Sequence, residues 1–177
     1  WIVAWTVDAR RRLLRPDAVL LPQRLRLWVA AAESFDDHAV VSDWQAPSLP
    51  YDCSAAYRRA ARTLWYSDLT SNNLLGQAEL AADVDLRCAT DQTIRSSGTL
   101  VVERDGVLHG MACWFDSLLS PGVTVDNMPE HSESSWSHGF LPLAEPLAVN
   151  PGDRFAWDLA VSPDGDQWRW HLDRIEG

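Results

Sequence analysis

The sequence predicts a mainly β fold, an antiparallel β-barrel or distorted sandwich into which a helical arm is inserted. Three observations support this prediction. Short runs in which apolar and polar residues alternate recur along the chain, as in strands that bury one face. Turn signals such as Asp-Gly and Pro-Asp-Gly separate several of these runs. One segment, residues 54–65, changes instead to the spacing of a helix.

The N-terminal residues predict the end of a helix followed by two strands. Val7 to Leu14 has the composition of a final helical turn or two, with three arginines where cations complement the helix dipole. Pro16 is expected to end this helix. Val19 to Leu21 and Arg24 to Ala31 are predicted strands, and the second alternates leucine and valine with arginine-rich positions. One face of that strand should therefore lie in a core.

The segment from Ser54 to Trp65 predicts an amphipathic helix. Its apolar residues fall at i, i+3, i+4, i+7 and i+8, which is the spacing of one helical face. They are Tyr57, Ala60, Ala61, Leu64 and Trp65. Such an apolar stripe must pack against another surface. Periodicity does not decide whether that surface belongs to the barrel of the same chain or to a second subunit.

Asp105-Gly106 predicts a hairpin between the apolar runs Thr99–Glu103 and Val107–Phe115. Asp-Gly readily takes the positive φ angles of a type I′ turn, which matches the twist of paired strands. Leu80 to Leu86 also alternates and is a further predicted strand.

A second hairpin is predicted near the end of the chain. Phe155 to Val161 alternates apolar with polar or small residues, and so does Trp168 to Leu172. Pro163-Asp164-Gly165 between them is a typical turn sequence.

The chain has 177 residues and a net charge of −10, with fifteen arginines and no lysine. This length fits one domain with a substantial core. The negative charge argues against nucleic acid as a partner, because phosphates select basic surfaces. An acidic surface could attract arginine-rich peptides, although many soluble proteins are simply acidic.

The three cysteines, Cys53, Cys88 and Cys113, are widely spaced and form no CxxC pair. We therefore expect free buried thiols and no metal site. No segment has the length of a transmembrane helix, and residues 1–7 are too short for a signal peptide. A cytoplasmic protein without membrane contact is expected.

Other groups of chemically reactive residues have simpler interpretations. Asp36-Asp37-His38 and the pair His131 and Glu133 supply acid-base groups, but no GxSxG nucleophile motif accompanies them, so solvated loops are expected there. Asp83 and Asp85 lie at strand spacing, where two carboxylates could share a proton. An exposed polar face is the more common explanation.

Residues 100–153 contain an ordered series of segments that resembles the C-terminal β-barrel domain of the protein arginine N-methyltransferase family, in a divergent, bacterial form. The segments are Trp114-Phe115-Asp116, Ser134-Ser135-Trp136, Phe140-Leu141-Pro142-Leu143, Glu145-Pro146-Leu147 and Asn150-Pro151-Gly152-Asp153. At the chain ends, Asp8-Ala9-Arg10, Leu14-Arg15-Pro16-Asp17, Leu20-Leu21-Pro22 and Leu172-Asp173 extend the resemblance.

The resemblance implies a division of the chain. Residues 1–22 would be the remnant of the end of an upstream S-adenosylmethionine-binding domain, and residues 23–177 a β-barrel domain with a helical dimerisation arm at about 51–75. The arm implies a homodimer formed through Tyr57, Ala61, Leu64 and Trp65. The family's glycine-rich cofactor turn and its two catalytic glutamates have no counterpart here. This chain alone should therefore neither bind S-adenosylmethionine nor turn over substrate.

Ser134-Ser135-Trp136 matches the family's Thr-His-Trp loop, which lies beside the catalytic pocket. These three residues would contact an arginine-containing protein or peptide substrate. Ser135 stands where the family has histidine, and a hydroxyl cannot carry the charge that an imidazole can. Trp136 could equally serve as packing for the barrel. The resemblance thus implies the substrate-binding and dimerisation barrel of a methyltransferase; the alternative is a noncatalytic protein-interaction module.

Overall fold

The computed structural model describes residues 2–90, 93–131 and 135–175, which form two antiparallel sheets and three α-helices. The helices are α1 (Ile2–Arg12), α2 (Phe35–Ser42) and α3 (Ser54–Ala60). The strands are β1 (Arg24–Ala32), β2 (Trp65–Ser67), β3 (Glu79–Asp85), β4 (Ile94–Val101), β5 (Gly106–Ser120), β6 (Val123–Asp126), β7 (His138–Val149), β8 (Arg154–Val161) and β9 (Trp168–Arg174).

The larger sheet has the order β2-β7-β5-β1-β3, with β6 also paired to β5, and the smaller sheet has the order β4-β8-β9. All pairings are antiparallel. The prediction of a mainly β, antiparallel fold is confirmed. Among the described residues the two sheets form a sandwich and do not close into one barrel.

The main core lies between the two sheets. It joins Val29 and Met111 of the larger sheet with Leu100, Phe155 and Trp157 of the smaller one, all nearly inaccessible to solvent. A second cluster lies on the opposite face of the larger sheet and contains Ala30, Ala32, Leu69, Ala112, Trp114 and Phe140. Burying both faces of β1 and β5 is what allows these strands to carry apolar residues at successive positions.

The hairpin predicted at Asp105-Gly106 is wrong. β4 pairs with β8 and β5 with β1, β6 and β7, so the two strands belong to different sheets. Neither residue has the positive φ of a type I′ turn. The connection is fixed by Glu33 instead, whose carboxylate accepts from the Val107 N–H and pairs with Arg104. Asp-Gly is therefore the crossing point between sheets.

The hairpin predicted around Pro163-Asp164-Gly165 is confirmed. β8 and β9 pair from Val161 with Trp168 to Phe155 with Arg174. The Gly165 N–H donates to the Ser162 carbonyl at 2.9 Å, and Gly165 has a φ of 77°, a conformation that favours glycine.

The predicted helix from Ser54 to Trp65 is too long. α3 ends at Ala60, and Trp65 begins the short strand β2, which pairs with the start of β7. The Thr63 hydroxyl bonds back to the Arg59 carbonyl within the turn that follows the helix. Pairing with β7 has overridden the helical spacing in this segment.

Three other predictions need correction. Val19 to Leu21 forms no strand, and α1 begins at Ile2, earlier than the helical turn predicted from Val7. Asp36-Asp37-His38 lies in α2, not in a solvated loop, because Ser34 caps this helix by accepting from the Asp37 N–H.

Among the described residues, none of the helices could span a membrane.

Candidate functional site

The loop that links β6 to β7 carries the exposed tryptophan that the sequence singles out. The Trp136 side chain is 53% exposed, and its ring meets Phe115 of β5 edge to face with centroids 5.7 Å apart. Ser135 is exposed, and Ser134 lies outside the described residues. Trp136 is therefore in contact with β5 and keeps about half of its surface exposed to solvent.

Asn127 holds both ends of this loop to the sheet. Its side chain is 2% exposed, its Oδ1 accepts from the Phe115 N–H at 2.8 Å, and its Nδ2 donates to the Ser137 carbonyl at 2.9 Å. A buried amide with both ends satisfied fixes the backbone on either side of Trp136. Sequence reasoning missed Asn127, because an asparagine in a polar loop gives no signal of its own.

The start of the loop is fixed by Asp126. Its Oδ1 accepts from the Met128 N–H at 3.1 Å and lies 2.6 Å from Nδ1 of His131. Met128 packs on the second cluster of the larger sheet, the one that contains Trp114. Phe115 belongs to the other face of the same strand, so the loop contacts β5 on both sides.

Beside this loop, Asp116 of β5 is a buried carboxylate with fixed partners. It accepts from Nε of Arg26 at 2.8 Å and from Nε1 of Trp28 at 2.6 Å. The Arg26 guanidinium also lies 5.6 Å from the centre of the Trp28 ring. Each oxygen of the carboxylate thus accepts one hydrogen bond from β1, and these bonds hold the two strands in register. We interpret Asp116 as a structural group beside the site.

The four residues predicted for dimerisation all contact the rest of their own chain. The Tyr57 hydroxyl donates to the Ala144 carbonyl of β7 at 2.9 Å, and Nε1 of Trp65 donates to the Ala60 carbonyl at 3.0 Å. Ala61 is buried, and Leu64 packs on the main core. These contacts match the same-chain alternative that periodicity left open, and the dimer remains a prediction.

Asp83 and Asp85 each have a separate arginine partner. Arg24 forms an ion pair with Asp83, and Arg87 pairs with Asp85 at 2.7 Å. The hydrogen bond from Arg87 lowers the pKa of Asp85 to about 2. Both carboxylates are paired separately across an exposed face, so the arrangement gives no basis for a shared proton.

The cysteines are free, but only Cys113 is buried; Cys88 is exposed, so the prediction of buried thiols is wrong for it. Burial raises the pKa of the Cys113 thiol to about 12, which leaves it unreactive. No group of His, Cys, Asp or Glu side chains suited to a metal ion occurs among the described residues.

No family model matches the chain. It is 27% identical over 156 residues to an arginine N(omega)-methyltransferase of Streptomyces achromogenes subsp. streptozoticus, covering 87% of this chain and 43% of that protein. It is also 27% identical to protein arginine N-methyltransferase PRMT10 of Oryza sativa subsp. japonica, covering 83% and 48%. The chain spans a little under half the length of these relatives.

Two solved structures share the fold. The PRMT1 enzyme–prozyme heterotetrameric complex with AdoHcy from Trypanosoma brucei superposes with a TM-score of 0.84 at 18% identity, covering 99% of this chain and 59% of that one. Protein arginine methyltransferase 10 of Arabidopsis thaliana gives 0.69 at 15% identity, covering 98% and 65%. In sequence and in fold, the chain is therefore similar to part of the protein arginine methyltransferases.

Proposed function

We propose that this chain is the substrate-binding and dimerising part of an S-adenosylmethionine-dependent methyltransferase that modifies arginine residues. The observation that supports this most strongly is the agreement of two comparisons. The sequence relatives are arginine methyltransferases, and the structures that share the fold over nearly the whole chain are arginine methyltransferases as well. Methyl transfer itself, from the sulfonium of the cofactor to a guanidinium nitrogen, then belongs to a part of the protein outside this chain.

The described glycines of this chain do not form the turn that such a cofactor would need. A nucleotide-type cofactor needs a glycine-rich turn between a strand and a helix. The described glycines with positive φ are Gly122, Gly152 and Gly165, and each lies in a separate turn between two strands. We therefore assign no cofactor contact and no step of the reaction to this chain.

Trp136 is the residue that we assign to substrate binding. An exposed indole face attracts a guanidinium by cation–π interaction, worth about 0.5–1 kcal/mol at an exposed site. Asn127 and Phe115 hold the loop in place, so the ring is positioned before the substrate arrives. Ser134 and Ser135 would line the same loop. A protein or peptide that contains arginine is the expected substrate.

The N-terminal segment is where we place the contact with the cofactor domain. α1 packs on the sandwich through Val3 and Val7, and Arg10 donates to the carbonyls of Leu86 and Ala89. Trp5 and Val19 nevertheless remain 73% and 80% exposed. Leu13 and Leu21 of the same segment are exposed as well, and this concentration of exposed apolar side chains supports its use as an interaction surface. We assign residues 1–22 to that junction and residues 23–177 to the barrel.

Dimerisation through the arm at about residues 51–75 is part of the same proposal. The Trypanosoma neighbour is a heterotetrameric complex, so this fold occurs in assemblies. We propose a cytoplasmic homodimer in which the start of the arm, where Tyr51 is 80% exposed, contacts the second subunit while Tyr57 and Trp65 hold the arm to its own chain.

A noncatalytic protein-interaction module is the second candidate, and Ser135 favours it. The family's histidine can carry charge and reach further than a serine hydroxyl. If the loop no longer assists catalysis, the same fold could bind partners without modifying them.

The test is methylation of an arginine-rich peptide by the full-length gene product with labelled S-adenosylmethionine. Trp136→Ala should lower kcat/KM while leaving cofactor affinity unchanged, and Trp44→Ala, which alters a tryptophan outside the loop, should not. Absence of methyl transfer despite measurable cofactor binding would support the noncatalytic module. Saturable S-adenosylmethionine binding by this chain alone, measured by calorimetry, would contradict the assignment of the cofactor to another part.

A further inference from the structure

An open groove of about 1000 Å³ runs between the arm and the edge of the smaller sheet. One wall is formed by the end of α3 and the turn after it, and the other by β9 and the turn that precedes it. β9 is an outer strand of its sheet, and the two sheets do not pair here. The groove therefore lies along the open edge of the smaller sheet, which would be paired in a closed barrel.

The groove is lined by exposed arginines that form no ion pair with a described carboxylate. Arg58, Arg59 and Arg62 lie on the arm side, and Arg169 lies on the β9 side. None of the four forms an ion pair with another described residue, whereas six other arginines of the chain do. In a chain with a net charge of −10, a group of unpaired positive charges on two facing walls is a local reversal of sign.

Acidic groups near the groove do not cancel this charge. Asp166 lines it, and Asp173 lies 2.9 Å from Nε2 of His171, which lines it as well. Asp164, in the turn, accepts a hydrogen bond from Ser162. Asp52, just before α3, also interacts electrostatically with Arg58 but does not line the groove. Four lining arginines thus share the groove with one lining carboxylate.

Aromatic side chains supply the apolar part of the groove. Nε1 of Trp170 donates to the Pro142 carbonyl at 3.1 Å, and Nε1 of Trp168 donates to the Gly165 carbonyl at 3.0 Å. These bonds fix both indoles. Tyr66 on the opposite wall is 81% exposed. Fixed rings between positive charges can receive an apolar side chain that is flanked by carboxylates.

From this charge and shape we infer that the groove docks an acidic peptide segment of a partner protein, with alternating carboxylate and apolar side chains. Two observations favour a peptide over nucleic acid. The net charge of the chain opposes a long polyanion, and the fixed indoles offer apolar contacts that an acidic peptide can use. This partner is not the proposed arginine-rich substrate, which the groove would repel. The inference does not depend on the proposed function.

The test is a fluorescence anisotropy titration of the chain with a short labelled peptide of alternating glutamate and leucine. The double variant Arg59→Glu and Arg169→Glu reverses one charge on each wall and should weaken binding by at least about tenfold. The control variant Arg11→Glu and Arg154→Glu makes the same charge change at exposed arginines outside the groove that form no ion pair with a described residue. It should bind like the native chain. A peptide with glutamine in place of glutamate should bind weakly.

Several results would overturn the inference. Equal losses in the groove and control variants would mean nonspecific attraction. Tighter binding of an oligothymidylate than of the peptide, lost in the groove variant, would assign the groove to nucleic acid. A change of oligomeric state in the groove variant, seen by sedimentation, would mean that a second copy of the chain covers it. The neutral variant Arg59→Gln and Arg169→Gln, with circular dichroism of all variants, separates loss of charge from loss of fold, and it should show a smaller loss of affinity.

Discussion

The Glu33 carboxylate accepts a hydrogen bond from the backbone N–H of Val107 at 2.7 Å. This bond connects the residue after β1 to the start of β5. The same carboxylate pairs with Arg104 at 2.7 Å. Arg104 in turn donates to the carbonyls of Asn72 and Leu74. The crossing between the two sheets thus depends on a single side chain that joins three segments.

Replacing Glu33 should therefore destabilise the sandwich. Glu33→Gln keeps the shape but loses the charge that faces Arg104, and we expect a loss of about 1–3 kcal/mol in the free energy of unfolding. Chemical denaturation of the two proteins at pH 7 measures this loss. Glu79→Gln, at an exposed position of β3, is the control and should change the free energy little. An unchanged midpoint for Glu33→Gln would show that Arg104 and Val107 hold the crossing without it.

The same residue predicts an acid limit for stability. Burial raises the pKa of Glu33, but the hydrogen bonds from Arg104 and Val107 outweigh it and hold the pKa below its usual value of 4.5. Its contribution is therefore present above pH 4.5 and lost as the pH falls through the lower pKa of the folded state. Denaturation curves from pH 6 to pH 3 should show a smaller acid loss in Glu33→Gln than in the native chain. Parallel losses in both proteins would contradict this.

His109 predicts a second dependence on pH, at higher values. Its pKa is lowered by burial and by the neighbouring His38, whose ring centre lies 5.4 Å away. The hydrogen bond with the Val107 backbone and the charge of Glu33 act in the opposite direction. The unfolded chain takes up the proton near pH 6.5 and the folded chain only at lower pH, so stability should fall as the pH drops below about 6.5.

The measurement is the free energy of unfolding between pH 7.5 and pH 5. His109→Leu should flatten this profile, because it removes the group whose pKa differs between the folded and the unfolded chain. His171→Gln, at an exposed histidine, should leave the profile unchanged. A native profile that is already flat would disprove the assignment to His109.

Asn127 predicts how the Trp136 loop is held. Asn127→Ala removes both side-chain hydrogen bonds and should cost about 1–3 kcal/mol in the free energy of unfolding. Asn127→Asp keeps an acceptor for the Phe115 N–H but loses the donor to the Ser137 carbonyl, so its effect should be confined to the C-terminal side of the loop. Hydrogen exchange measures this directly. Faster exchange on both sides of Trp136 in Asn127→Asp would contradict the division of roles.

Gly110 lies where the backbones of β5 and β7 approach too closely for any side chain. A Cβ at this position would lie 2.4 Å from the Leu141 carbonyl oxygen and 2.9 Å from Cα of Pro142, both backbone atoms that cannot move aside. Gly110→Ala should cost about 1–3 kcal/mol or more. Gly122→Ala meets no atom within 4 Å, and only its φ of 79° should cost stability, by about 1 kcal/mol. Equal melting temperatures for the two variants would refute the clash.

Local signals predicted local structure well. The β8–β9 hairpin follows from its own turn residues, and the strand at Arg24 from its own alternation, because each depends on neighbours in sequence. The partner of β4 could not be found in this way, since Asp105-Gly106 is compatible with both a hairpin and a crossing between sheets. The helix after Ser54 was overextended because the pairing of Trp65 with Phe140 is a long-range contact.

The candidate site divides in the same manner. Trp136 is visible in the sequence because of the ordered segments around it. Asn127 is not, since its role depends on Phe115 and Ser137 lying on either side of it in space. Arg59 and Arg169 are more than one hundred positions apart in sequence, and only the packing of the arm against the smaller sheet brings their charges to one groove.

The grip of the β6–β7 loop on both faces of β5 has a consequence for interpreting variants. Met128 contacts one side of that strand and Trp136 the other, so a small shift of β5 against its neighbours would move the Trp136 loop with it. A core substitution that shifts β5 would therefore displace the Trp136 indole as well. The contacts of the indole itself can be tested only with variants that leave β5 in register.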